Sequence, residues 1–548
     1  MSLLSSLFFP AYGALWRAAH PFLRRHKRLA QGFDERLVPD GWPHRATADA
    51  QIQTDGQSAG GLMRASEQPD KQPDKQPGRQ PGRQTQADGQ AKPRTAPRIW
   101  IQAASGGESR LVQGLVAALG QRLSAAELLC TTCTRQGLDI LESLPVPPGF
   151  SLLPRYLPLD RPDIMDKAMA QAAPDVLALL ETELWPGLLR AAKQHRVPVL
   201  VLNARMTEKS RKAYAPAAAL LRELAPDRVL AISEADAARF ASLFQCADAV
   251  GVMPNIKFDL AAAFTEQSFA PLSHAQAPGA GLRRDLGLDD STLLALFASV
   301  REEEEEALLP VLAALYGKTY QGLPVALPVA LAVAPRHMHR LNAWRQRLEA
   351  HGMKVLLRSE AGRECPGPQS GPQAGPQAGP QAGLHHDSQH DSHHAQQHSP
   401  QHDSQHSPQP VILCDRFGEM QGLYGAADAA FVGGSLTPLG GQNYLEAPAQ
   451  GLRPFVGPHT ENFAWVGEDI FTRHLARRVF DASALLQALE CTLAQCAQAL
   501  STSTNPAQHR YDEKRATQAL FCDFLAPHRG GCAMAADALV LALSSSCR

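Results

Sequence analysis

From Arg98 onward, short apolar runs alternate with helical segments, and this alternation decides the fold class. RIWIQA at Arg98 is followed by SGGE and the helical SRLVQGLVAALGQRL. AELLCTT, DVLALL, VPVLVL, RVLAIS and a run ending in NIKFD come next. A second series holds TLLALFAS, VALAVA, KVLLRS, VILCD, DAAFV and RPFVG. Strands alternating with helices argue for a parallel sheet covered on both faces. At 548 residues the chain is too long for one ordinary domain. The expected fold is therefore α/β, with two Rossmann-like domains in tandem and a cleft between them. Their spans are 98–264 and 283–525, joined by an Ala/Pro/Gly-rich linker at 265–282.

The flanking segments have other textures. Residues 1–42 open with an apolar stretch from Met1 to Trp16, followed by RRHKR at Arg24. A spanning helix needs about 20 apolar residues, and Pro10 interrupts this one. No small-residue cleavage site follows the basic cluster. The better reading is a helix lying in the membrane interface, its basic residues facing anionic headgroups. The alternative is an apolar helix packed on its own domain. Residues 43–97 carry QPDKQPDKQPGRQPGR and read as a disordered linker, and 362–410 read as a low-complexity His/Gln-rich insertion. That His tract suits loose metal binding at most. Residues 526–548 form a closing Ala/Leu helix. A net charge of −1 gives no basic signature for nucleic acid, and ten cysteines without framework spacing suit a reducing compartment. Cys130 and Cys133 form one CxxC without a second pair at zinc spacing.

Polar residues recur just after the strands, which is where ligands bind in open α/β sheets. Glu108 follows a glycine pair between a strand and a helix. It is placed either as a general base on a bound hydroxyl or as a capping carboxylate. Glu181 and Glu183 end an apolar strand in LLETELWP and share one side if the strand continues. One would tie down a loop while the other faces the cleft; the plainer alternatives are solvated carboxylates or a salt bridge to a neighbouring Arg. Lys257 and Arg336 are lone cations at strand ends, suited to phosphate. Arg301 heads REEEEE, read as a solvated helix start. In the stretch from Phe431 to Phe463, Gly433 and Gly434 permit a sharp turn and close approach to a ligand. Gly440 and Gly441 lead into NYLEAPA, read as a helix start with N–H groups for a phosphate, with Glu446 one turn in to meet a ribose.

With ETELWP at Glu181, NAR at Asn203, NIKFD at Asn255, APRH at Ala334 and GGSLTPLGGQNYLE at Gly433, the chain resembles the 3-deoxy-D-manno-octulosonic acid (Kdo) transferases of Gram-negative bacteria. The resemblance implies a GT-B fold and inverting transfer of Kdo from CMP-Kdo to a lipid A precursor, in lipopolysaccharide biosynthesis. It places the protein at the cytoplasmic face of the inner membrane, peripheral or monotopic. Glu108 matches the family's general base, and Glu181 and Lys257 match its transition-state stabilisers. Pro335 and Arg336, then Gly418, Glu419 and Met420, then Asn443, Tyr444, Leu445 and Glu446 match the CMP-contacting segments. No cofactor or metal is implied. Four positions depart from the family pattern. Gln102 and Gln442 each stand where a His is usual, Gly106 where a Val is usual, and Ser299-Val300-Arg301 where Ser-Thr-His is usual. These changes leave room for a related GT-B enzyme with another donor or lipid acceptor, or for a catalytically weak lipid-binding scaffold.

Overall fold

The computed structural model describes residues 3–26, 29–38, 42–45, 96–268, 278–361 and 408–545. Most of the expected linker at 43–97 and of the insertion at 362–410 lies outside these residues. The chain divides into two units, Met1–Leu260 with His528–Arg548, and Ala261–Pro527.

The first unit is built on seven parallel strands. They are β1 (Arg98–Gln102), β2 (Ala126–Thr132), β3 (Phe150–Tyr156), β4 (Val176–Leu180), β5 (Val199–Ala204), β6 (Arg228–Ala231) and β7 (Val250–Val252). Their order is β3-β2-β1-β4-β5-β6-β7. β1 and β4 are buried along their whole length, because helices cover both faces. The order reverses at β1, so a crevice opens between the carboxyl ends of β1 and β4. Only β3 went unread in the sequence, because it is an edge strand with Pro154 inside it.

Two terminal helices complete this unit. Gly531–Ser545 packs on Gly106–Gly120, and a Cβ at Gly114 would come within 2.6 Å of Cys532 Sγ. Asp259 starts that closing helix by accepting from Gly530 N at 2.8 Å and Cys532 N at 2.7 Å. The first helix, Leu3–Leu23, buries Phe9 in the core. Its Tyr12 hydroxyl donates to Asp160 at 2.8 Å. Asp160 also accepts from Gly187 and Leu188, at the start of the helix Pro186–Gln194. The opposite face exposes Leu4, Leu7, Leu15 and Phe22, one stripe at helical spacing. No helix among the described residues is long and apolar enough to cross a membrane.

The second unit holds β8 (Leu293–Val300), β9 (Thr319–Tyr320), β10 (Leu327–Pro335), β11 (Val355–Leu357), β12 (Val411–Leu413), β13 (Ala429–Val432), β14 (Phe455–Val456) and β15 (Arg477–Arg478). The order is β11-β12-β10-β8-β13-β14-β15, all parallel, with β9 antiparallel on β10. Here the reversal falls at β8, between β10 and β13. Each expected Rossmann-like sheet is thus present. Helices run into both ends of the expected linker, as Ile256–Ser268 and Pro278–Asp285.

A buried ionic knot fastens this sheet to its helices. Asp428 accepts from Arg510 Nε at 2.7 Å, from Leu294 N at 2.8 Å and from Arg283 Nη1 at 3.3 Å. The two guanidiniums hold its carboxyl below the usual range, against burial that acts the other way. Lys514 donates to the Tyr424 and Ala427 carbonyls, and burial pushes its ammonium down to about 8. Asp428→Ala would leave two buried guanidiniums unpaired, with an expected loss of about 3–5 kcal/mol. Urea unfolding of the variant checks this, and a midpoint equal to that of wild type would contradict it.

Candidate active site

Three carboxylates gather at the switch point of the first sheet. β1 ends at Gln102, and Ser105 then caps the helix Gly106–Gly120. Ser105 Oγ accepts from Glu108 N at 3.4 Å, and Glu108 Oε2 accepts from Ser105 N at 2.8 Å. This reciprocal capping box fixes the Glu108 carboxylate in the first turn of the helix. The two sequence readings of Glu108 are therefore compatible: one carboxylate oxygen caps, and a carboxylate has a second. Gly106 admits the Gln136 side chain, whose Cδ would lie 3.0 Å from a Cβ there.

β4 stops at Leu180, and Glu181 turns into the left-handed region at φ 59°. The strand therefore does not continue, and alternation does not govern Glu181 and Glu183. Their roles separate. Glu183 ties down the loop, accepting from Trp185 Nε1 at 2.6 Å and Gln102 Nε2 at 3.4 Å. Glu181 pairs with Lys257, Oε1 to Nζ at 2.5 Å. Lys257 is thus not the lone cation its sequence position suggested. It sits at the start of the helix Ile256–Ser268, where Asn255 Oδ1 accepts from Lys257 N at 3.0 Å. Asn203, also left-handed at φ 55°, accepts from Ile256 N at 2.9 Å. Two non-glycine residues with positive φ at neighbouring strand ends are conformations that persist where the surroundings fix them.

Gln102 is fully buried. Trp100 Nε1 donates to Thr131 Oγ1 at 2.8 Å, and that hydroxyl donates to Gln102 Oε1 at 2.6 Å. The relay turns the Gln102 amide N–H toward Glu183. A glutamine makes this contact without titrating near neutrality. Burial comes first, and then the charges of Glu181 and Glu183, in pushing the Glu108 carboxyl up to about 7. Backbone bonds from Ser105 and Ala104 act in the opposite direction. Burial raises Glu183 as well, opposed by the bonds from Trp185 and Gln102. A carboxylate poised near neutrality is suited to take a proton from a hydroxyl.

In the second unit the sequence-predicted residues fall into three groups. Pro335 ends β10, and Arg336 Nε donates to Gln442 Oε1 at 3.0 Å. Asn443 Nδ2 donates to Glu446 Oε1 at 2.9 Å, and Asn443 Oδ1 accepts from Leu445 N at 3.3 Å. Tyr444 and Leu445 are buried, so their side chains build the floor of this segment. Glu446 is the first residue of a helix of only four residues, Glu446–Ala449, and not one turn inside a longer one. Gly418, at φ 87°, leads to Glu419 and to Met420 at the start of the helix Met420–Ala426. Glu419 accepts from the buried Arg358 at 3.0 Å.

One group was misread outright. In REEEEE, Glu304 and Glu305 are fully buried and not solvated. Glu305 takes two bonds from Arg340, at 3.0 and 2.7 Å. Glu304 accepts from Gly434, Ser435 and Leu436 N at 2.5, 2.9 and 2.9 Å. No local signal in the sequence marks this pairing, because Gly434 follows Glu304 by 130 residues. No cluster of His, Cys, Asp and Glu among the described residues is arranged to hold a metal ion.

The fold is that of an α/β enzyme with two Rossmann-like units, and the first carries a desolvated carboxylate suited to activating a hydroxyl. Comparison with known proteins gives the particular family. The profile of the family described as 3-Deoxy-D-manno-octulosonic-acid transferase (kdotransferase) matches residues 77–260. The chain is 32% identical over 395 residues to the 3-deoxy-D-manno-octulosonic acid transferase of Bordetella pertussis, covering 71% of this chain and 78% of that one. It is 27% identical over 368 residues to the enzyme of that name from Haemophilus influenzae, covering 67% and 71%. Among solved structures, the C-terminal CMP-Kdo binding domain of WaaA from Acinetobacter baumannii aligns with 47% of this chain and 98% of that one. Its identity is 20% and its TM-score 0.29. The chain belongs to the Kdo transferase family and is a glycosyltransferase.

The carboxylate cluster is open to direct titration. Carboxyl carbon shifts in protein labelled with 13C-glutamate, assigned by Glu108→Gln, are expected to show a Glu108 midpoint near 7. Glu181→Gln removes a nearby negative charge, so the midpoint is expected to fall. A wild-type midpoint in the ordinary carboxylate range would contradict the geometry.

Proposed function

We propose that the protein transfers Kdo from CMP-Kdo to a hydroxyl of a lipid A precursor, the 6-hydroxyl of a glucosamine. Glu108 takes the hydroxyl proton as that oxygen attacks the anomeric carbon of Kdo. The bond from that carbon to the CMP phosphate oxygen breaks, and CMP leaves with the bonding pair. A single displacement of this kind inverts the anomeric centre. Glu181 and Lys257 stabilise the charge that develops on transfer, with Lys257 carrying the cation and Glu181 holding it in place. On the donor side, Arg336 neutralises the phosphate, and Asn443 and Glu446 take the ribose. Backbone groups of Pro335, Gly418, Glu419, Met420, Tyr444 and Leu445 complete the donor contacts. CMP leaves with one phosphate, which fixed donors and a guanidinium can stabilise.

The observation that carries this reading is Glu108. It is held by its own helix start beside two further carboxylates, inside a chain of the Kdo transferase family. Such a group is partly ionised near neutral pH and is more basic than an ordinary carboxylate. Glu108→Ala is expected to lower kcat by about 10²–10⁴-fold. The wild-type kcat/KM is expected to fall as pH drops below about 7, because protonation removes the base. CMP release from CMP-Kdo in the presence of a tetraacyl lipid A precursor checks both. Equal rates for wild type and variant would remove Glu108 from the role.

The first helix supports a place at the cytoplasmic face of the inner membrane. Its exposed stripe of Leu4, Leu7, Leu15 and Phe22 ends beside Arg24 and Arg25, the composition of an interfacial helix. The reverse face is occupied by Phe9 and Tyr12. Leu7→Asp with Phe22→Asp is expected to reduce cosedimentation with anionic phospholipid vesicles while activity on detergent-dispersed acceptor persists. Undiminished cosedimentation would contradict the interfacial role. A second reading, another donor or lipid acceptor, is favoured by one observation: Gln442, which contacts Arg336, stands where the family usually has His.

A further inference from the structure

We propose that Glu304 is a positioning residue for the donor site, holding the Gly434–Leu436 turn in the one shape that places Gln442 and Arg336. The proposal rests on reading the second unit as the donor-binding half.

Glu304 lies in the turn Glu302–Glu304 that follows β8, and β8 neighbours β13 at the switch point of the second sheet. Its side chain crosses to the loop after β13 and is wholly buried there. Oε2 accepts from Gly434 N at 2.5 Å and from Arg301 N at 3.1 Å. Oε1 accepts from Ser435 N and Leu436 N, both at 2.9 Å. One carboxylate thus receives four backbone N–H groups, about as many as its lone pairs can take. Three of them are successive, which makes the turn an anion nest. A phosphate is the usual guest of such a nest, but here the guest is the protein's own carboxylate. A Cβ at Gly433 would come within 2.8 Å of Glu304 Oε2, so glycine permits the approach.

The turn then passes its position onward. Gly434 O accepts from Gly441 N at 2.7 Å, and the next residue is Gln442. Gln442 Oε1 accepts from Arg336 Nε, and Arg336 N donates to Val300 O at 2.8 Å. The guanidinium is thus referred back, through backbone and amide, to the carboxylate that organises the glycine turn. One consequence is specific. The phosphate of a CMP-sugar is met by Arg336 and not by the Gly434–Leu436 amides, whose hydrogens already point at Glu304.

The test is a double-mutant cycle on CMP affinity, measured by calorimetry with CMP itself as the probe. Glu304→Gln keeps the size, but its amide group faces N–H donors in place of an acceptor oxygen. CMP affinity is expected to fall roughly tenfold or more. KM for CMP-Kdo is expected to rise while KM for the lipid acceptor stays unchanged. In an Arg336→Ala background the same substitution is expected to add little, because the group it positions is already gone. Glu306→Gln, at an exposed carboxylate of the same run, is expected to match wild type. If Glu304→Gln fails to fold, Gln442→Ala breaks the same relay downstream and is expected to show the same coupling to Arg336. Full additivity with Arg336→Ala, or unchanged CMP affinity in the folded variants, would overturn the proposal. No CMP binding by wild type would instead overturn the donor-site reading beneath it.

Discussion

The parallel sheet is the constraint on which everything else here depends. Strands buried on both faces leave little room for polar side chains in their interior, as Ile99–Ile101 of β1 and the whole of β4 show. Polar chemistry is therefore pushed to the carboxyl ends, and the reversal of strand order opens space there. In the first sheet that space collects Glu108, Glu181, Glu183 and Lys257. In the second it collects Glu304, Arg336 and Gln442. Two parallel sheets, each with a reversal of strand order, have opposite electrostatic characters at that reversal. The first brings carboxylates together, and partial burial and mutual repulsion push the Glu108 carboxyl up to about 7. The second consumes the Glu304 carboxylate within the fold and places the Arg336 guanidinium beside Gln442.

Left-handed residues carry much of this placement. Glu181, Asn203 and Ser299 all adopt positive φ at strand ends. At Ser299 the pairing of β8 with β10 also slips, so that Val300 meets Pro335. That slip brings Arg336 N to Val300 O, and so sets where the arginine leaves the sheet. Backbone strain of this kind is held only by firm surroundings. Asn203 and Asn255 supply them in the first unit, and Glu304 in the second.

Much of the fold was legible because its signal is local. Apolar runs bounded by helical segments located all but a few strands, and capping chemistry located Glu108. What escaped was decided by tertiary partners. β3 was hidden by Pro154 and its edge position. REEEEE looked solvated because five acids in a row have a favourable reading as a surface, and nothing local says that Gly434 lies across the sheet from Glu304. Lys257 looked alone because Glu181 is 76 residues away. The knot around Asp428 was invisible for the same reason, since Arg283 and Arg510 come from distant helices. The strand–helix pattern located the candidate residues at strand ends and helix starts, but their pairings could not be read from it.

The central claim is that a desolvated glutamate drives one inverting displacement on a Kdo donor. The most direct measurement is the structure of the product. Purified protein, CMP-Kdo and a tetraacyl lipid A precursor would be combined, and the lipid analysed by mass spectrometry and NMR. The account requires a lipid carrying Kdo, joined with the anomeric configuration opposite to that of the donor. A Kdo-lipid with retained configuration, or a lipid left unmodified while CMP-Kdo persists, would contradict it.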